Sequence, residues 1–215
     1  DSPIEKLTLN EGITTIGDSA FLGTKIEDLV IPHSVETIGK GAFRTSPIKK
    51  LTLNEGITTI GEFAFNETQL KEVDIPGNVN IIGNVAFKDS PIEKLTLNEG
   101  ITTIGDHAFY GTQLKEVDIP NSVETIDKDA FSSSPLESVT IGNGVKQIGD
   151  YAFQETKIKD LVIPPSVETI GEGAFSALPI EKLTLNEGIT TIGDGAFMET
   201  KIKDLVIPHS VETID

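Results

Sequence analysis

Three histidines, 34 aspartates and glutamates and no cysteine set the chemistry this chain could carry. Paired histidines would suit a metal site or a proton relay, but His33, His107 and His209 are widely spaced along the sequence. Carboxylates could work in pairs as general acid and base, but only inside a concave, water-excluding pocket. Calcium would need about six to eight oxygens gathered from one loop, and no D-x-D-x-D or glycine–aspartate nonapeptide pattern occurs. Glycine-rich phosphate loops, G-x-S-x-G elbows and H-E-x-x-H segments are absent too. No catalytic residue, cofactor or metal centre is therefore expected, and the chain is not read as an enzyme. What remains is a set of rings, Phe63, His107, Tyr110 and Tyr151, of the kind that anchor protein interfaces.

Composition narrows the classes further. The formal net charge of −17 repels phosphate backbones and anionic lipid, so nucleic acid and membrane surfaces are poor partners. No apolar run approaches the ~18 residues of a spanning helix, so membrane insertion is not expected. Without cysteine there is no disulfide framework. A 37% hydrophobic content still supplies a core, which separates the chain from disordered acidic tails.

The elements that must position those rings follow from an internal repeat. Ala-Phe recurs with its Phe at 21, 43, 65, 87, 109, 131, 153, 175 and 197, every step being 22 residues. Counting from Ser2 gives nine full repeats and a partial tenth, Thr200 to Asp215. Odd copies read like Ser2–Gly23 and even copies like Thr24–Thr45, so the true unit is a 44-residue pair. Within a copy, Leu7-Thr8-Leu9 alternates with the period of a strand. Even copies end this strand with a proline that cannot donate to a ladder (Pro32, Pro76, Pro120, Pro164, Pro208). A second short β segment follows, Ile13 to Ile16 or Val35 to Ile38, closed by glycines such as Gly17 and Gly39 that read as positive-φ positions. The stretch around Ala-Phe is expected to return as a short helical or 3₁₀ turn.

One copy cannot fold alone. Its roughly seven apolar side chains contribute about 1.5–3 kcal/mol each, short of the conformational entropy of the repeat at about 1.5 kcal/mol per residue. Stacked copies share contacts and backbone ladders. The expected fold is therefore a mostly β, α/β solenoid, with a parallel sheet on one face. Residues 1–215 form one domain, a rod or shallow arc of roughly 50 Å at ~4.8 Å per coil. In such a stack His33 and His209 stand ~38 Å apart, which excludes a histidine pair.

Columns of equivalent residues then line up. Lys6, Asp28, Lys50, Glu72, Lys94, Glu116, Ser138, Asp160, Lys182 and Asp204 alternate in sign at every step except Ser138. A uniform column would place like charges side by side at a cost. The column reads either as a self-neutralised face that sets register or as a docking site for a patterned, charged partner. The acidic excess lies elsewhere, in part in the N-E-G turns (Glu11, Glu55, Glu99, Glu187) and in part in the V-E-T segments (Glu36, Glu124, Glu168, Glu212). Divergence between copies concentrates on either side of Ala-Phe, where Phe63, His107, Tyr110 and Tyr151 fall. Those rings are candidate partner-binding residues, with unconstrained surface drift as the plainer reading.

The run Leu29-Val-Ile-Pro-His-Ser-Val-Glu-Thr-Ile-Gly-Lys-Gly-Ala-Phe43 resembles the BspA-like, or Treponema pallidum-type, class of bacterial leucine-rich repeats, and the resemblance covers the whole chain. One departure is that repeats of the family usually have about 23 residues with a Cys shortly after Ala-Phe. Here hydroxyl residues (Thr24, Ser46, Thr68, Ser90 and onward) stand at that place, with Leu178 the exception. A small buried hydroxyl bonded to backbone would fill the same space. The resemblance implies a secreted or cell-surface protein that binds host matrix or cell-surface proteins in adhesion, and it carries over no binding residues. A structural stalk displaying another domain is the alternative. Ice binding through the Thr8, Thr52, Thr96 column is disfavoured because Val and Asp interrupt it. Neither terminal copy reads as a polar cap, so the chain is expected to be a segment of a longer protein, monomeric or associating end to end.

Overall fold

The computed structural model describes residues 2–215 as a parallel β-solenoid with one coil per 22-residue copy. The segments expected to be secondary form the continuous element. Ten two-residue strands, from Thr15–Ile16 through Thr103–Ile104 to Thr213–Ile214, pair in chain order into one ten-stranded parallel sheet. Its register is in phase throughout, Ile16 on Ile38 and Ile38 on Ile60, so the isoleucines face inward on every coil but the last.

The Leu-x-Leu face, expected to be the main sheet, is instead cut into four two-stranded pairs. Each joins an even copy to the odd copy after it: Asp28–Val30 with Lys50–Thr52, Glu72–Ile75 with Lys94–Leu97, Glu116–Asp118 with Ser138–Thr140, and Asp160–Ile163 with Lys182–Leu185. Leu7-Thr8-Leu9, with no even copy before it in this chain, joins no ladder. Proline marks the cut: the odd residue at its place bonds the even strand before it through a side-chain amide in three of the pairs and through its N–H in one. Odd Asn98 donates its N–H to the Ile75 carbonyl (3.3 Å), and its side-chain amide adds a second bond there (2.8 Å). The equivalent even residue is proline, which has no N–H to return to the odd strand before it.

The core is a file of rings. Phe21 to Phe197 stack coil upon coil, with centroids 5.3–5.8 Å apart and interplanar angles of 3–13°. Phe43 through Phe175 are fully buried. Beside them the expected hydroxyl column lies in the core: Thr24 Oγ1 bonds Ser46 Oγ (2.9 Å), which also donates to the Phe21 carbonyl (3.0 Å), and Thr68 with Ser90 repeats the arrangement. Two hydroxyls lose this partner. Ser134 turns to the Phe131 carbonyl three residues before it, stranding Thr112, and Leu178 offers no hydroxyl to Thr156.

Two local expectations are corrected. No helix or 3₁₀ turn is found around Ala-Phe among the described residues. Left-handed residues bracket it in every copy, as at Phe63 (φ 58°) and Glu67 (φ 57°), and break any helical run. Alternate amides point along the stack instead, Phe43 N–H to the Ala64 carbonyl (2.9 Å) and Thr45 N–H to the Asn66 carbonyl (2.9 Å), so the turn side carries its own inter-coil ladder. The glycine column closing the two-residue strands is not at positive φ. A Cβ on Gly61 would stand 2.7 Å from the Ile38 carbonyl oxygen, so the close approach of coils favours glycine there, with Asp127 the one internal exception in the column.

Candidate functional site

The four candidate rings lie along the turn edge, but the structure does not gather them into one patch. Phe63, Tyr110 with His107, and Tyr151 occupy the third, fifth and seventh coils, so successive stations lie two coils, ~10 Å, apart. All four are half-buried. Each station is covered by a cation from the coil before: Arg44 and Lys40 over Phe63 (5.2 and 5.5 Å), Lys88 over Tyr110 (4.7 Å), Lys128 over Tyr151 (5.8 Å). Cation–π contacts of this kind contribute about 0.5–1 kcal/mol each when exposed. Phe63, His107 and Tyr151 also hold left-handed backbone (φ 54–58°).

Only His107 and Tyr110 meet, at 5.3 Å between ring centres. His107 in addition joins carboxylates that the columns did not single out: its Nδ1 pairs with Asp106 and its Nε2 lies 3.5 Å from Asp129 Oδ2. Burial holds the Asp129 carboxyl above its ordinary value, against the pull of His107 and Lys128. Burial, then Asp106, likewise raises Asp127. Both imidazole nitrogens face carboxylates, and the group braces the fifth coil to the sixth. Among the described residues no cluster suits a metal ion. A clue was present in sequence, an Asp-His dipeptide with Asp129 one copy later in the histidine column. Two coils further on, the Tyr151 hydroxyl donates to Glu172, and this bond, with burial, pushes the hydroxyl up to about 12.

The acidic turns are also structural. Glu99 accepts the Asn121 and Ser122 amides of the next coil (3.1 and 2.9 Å), and Glu187 those of His209 and Ser210 (3.1 and 3.0 Å). These backbone bonds hold both carboxyls below their ordinary value.

The strand face differs in kind. The alternating column is exposed in every coil, and none of the chain's ion pairs involves it among the described residues. The preceding column does pair internally, Glu27 with Lys49 (2.8 Å) and Lys71 with Glu93 (3.0 Å). Open grooves occur where the ladder is cut between an odd coil and the next even one. One of about 790 Å³ is lined by Glu5, Lys6, Lys25 and Asp28, and another of about 680 Å³ by Glu181, Lys182, Lys203 and Asp204.

Comparison with known proteins places this architecture. No curated protein sequence matches the chain. Among solved structures, the pneumococcal vaccine antigen PcpA is similar, with a TM-score of 0.62 at 22% identity, over 99% of this chain and 67% of that one. A leucine-rich repeat protein from Bacteroides ovatus aligns with a TM-score of 0.58 at 20% identity, over 99% and 76%. A leucine-rich cell surface protein from Faecalibacterium prausnitzii gives 0.51 at 22%, over 99% and 76%. At these identities the likeness concerns the fold. The model of the BspA-type leucine-rich repeat region, which holds six copies, matches residues 1–115 and 102–215, and the chain belongs to that family.

Proposed function

We propose that this chain is a protein-binding or adhesion module working outside the cell, on the cell surface or secreted, with a host matrix or cell-surface protein as partner. One observation carries the reading: the outward rings Phe63, His107 with Tyr110, and Tyr151 fall on one edge of a rigid array at two-coil intervals. Such an edge offers several shallow anchors at once, and repetition converts weak contacts into avidity. The leucine-rich cell surface protein of similar fold from Faecalibacterium prausnitzii supports the location. Repeat scaffolds of this kind typically carry no catalysis. The test is binding to immobilised host matrix proteins, comparing the chain with the triple variant Phe63→Ser, Tyr110→Ser, Tyr151→Ser. A loss of at least tenfold is expected, and unchanged binding would overturn the assignment of these rings.

A stalk that spaces another domain is the second reading, favoured by the cations that already cover each station. A stalk would keep its function after excision of residues 90–133, a 44-residue unit, whereas the binding edge would lose its central station.

A further inference from the structure

We propose that the strand face docks a second copy of this chain, face to face, with the two solenoid axes antiparallel.

A two-fold axis parallel to the strands lays each column on its own counterpart while reversing the order of coils. Alternation then does the matching. In the fully overlapped register Lys50 meets Asp160 and Lys94 meets Glu116, and Glu72 meets the neutral Ser138. Shifting by two coils preserves the match, so it does not depend on where the chain begins or ends. The outer strand column follows the same rule: Thr52 meets Val162, and Thr96 meets Asp118. Val162 is 60% exposed and gains cover. The preceding column is less regular, since Glu27 meets Glu181 and Lys49 meets Lys159. These sit toward the ends of the contact, where like charges remain hydrated.

Three observations favour a second copy as the occupant. The alternating charges are exposed and make no ion pair among the described residues. The strand face balances its charges, whereas the acidic turns and the turn edge carry the bulk of the −17, so copies repel on their other flanks and meet here without penalty. Size is adequate for a weak contact: ten coils at ~4.8 Å by roughly 12 Å of strand cover about 600 Å² per copy, near the ~1,000 Å² total that specific interfaces need.

The test is sedimentation equilibrium of the whole chain up to roughly 100 µM. In ~0.15 M salt a dimer is expected, weakened at least tenfold in ~1 M salt, where the screening length falls to ~3 Å. A face made acidic (Lys50→Glu, Lys94→Glu, Lys182→Glu) and a face made basic (Glu72→Lys, Glu116→Lys, Asp160→Lys) should each remain monomeric. Mixed, the two should form a heterodimer. Since runs of like charge could loosen the strands, a second variant, Thr52→Arg with Val162→Arg, sets two bulky like charges opposite one another without altering the column and should also be monomeric. A wild-type chain monomeric throughout would overturn the proposal, as would a dimer that survives both the charge reversals and the blocking arginines.

Discussion

The two β faces of the solenoid obey different periods. The inner ladder, Thr15–Ile16 to Thr213–Ile214, is uniform over ten strands, because odd and even copies place nearly the same residues there. The strand face repeats every 44 residues, with proline at its end in even copies and asparagine, or Gly142, in odd ones. Each position takes the period of its own column, so one chain holds a seamless sheet on one side and a segmented one on the other.

The largest test removes what both faces share. Phe109→Ala opens a cavity in the ring file and should cost about 3–5 kcal/mol, read as a lowered denaturant midpoint. An equal loss of amide protection on both faces is expected, whereas loss on one face alone would show that they fold independently. A finer test uses the hydroxyl column. Thr68→Val breaks the 2.8 Å bond to Ser90 and should cost about 0.5–1.5 kcal/mol. Thr156→Val removes a buried hydroxyl without a partner and should stabilise by about 1 kcal/mol. Two losses of the same sign would refute the pairing of even with odd copies. Smaller again is Pro120→Asn, which supplies an N–H toward Leu97. Net stability should move by less than ~1 kcal/mol, since lost proline rigidity offsets the gained bond. Hydrogen exchange should nonetheless show a protected amide at 120, and an unprotected one would mean that proline does not cause the break.

Acid probes the turns. Glu99 and Glu187 sit below the ordinary 4.5 when folded, so their contribution is complete above about pH 4.5 and is lost as pH falls through the depressed folded values. Asp127 and Asp129 are raised above the ordinary 3.8. Ionising them opposes folding, and that cost is relieved as pH falls through their raised values. A thermal midpoint that declines below about pH 4.5, and declines less steeply in Glu99→Gln/Glu187→Gln, is the expected result. Identical pH slopes for the two proteins would remove the turns from the account.

The stack, its register and the phenylalanine file were legible in the sequence, because Ala-Phe never slips. Left-handed backbone was not, because that column mixes Gly41, Gly173 and Gly195, which favour it, with Phe63, Val85 and Tyr151, which ordinarily avoid it. Glycine drew the expectation to Gly61, where close packing rather than φ imposes it. The rings fall in the two columns flanking Ala-Phe and are half-buried, and their covers were hidden. Arg44 reaches Phe63 from about one repeat earlier, a partnership that appears only when the coils are stacked. The segmented face could have been foreseen: a proline marks where a strand stops, and the same missing N–H also denies a neighbour its bond.

The ring file has a mechanical consequence. Ring centroids stand 5.3–5.8 Å apart, wider than the ~4.8 Å of a hydrogen-bonded ladder, so successive rings overlap with an offset. The file is clamped between two backbone ladders, one through the isoleucines and one through the turns, and bending the stack would strain both at once.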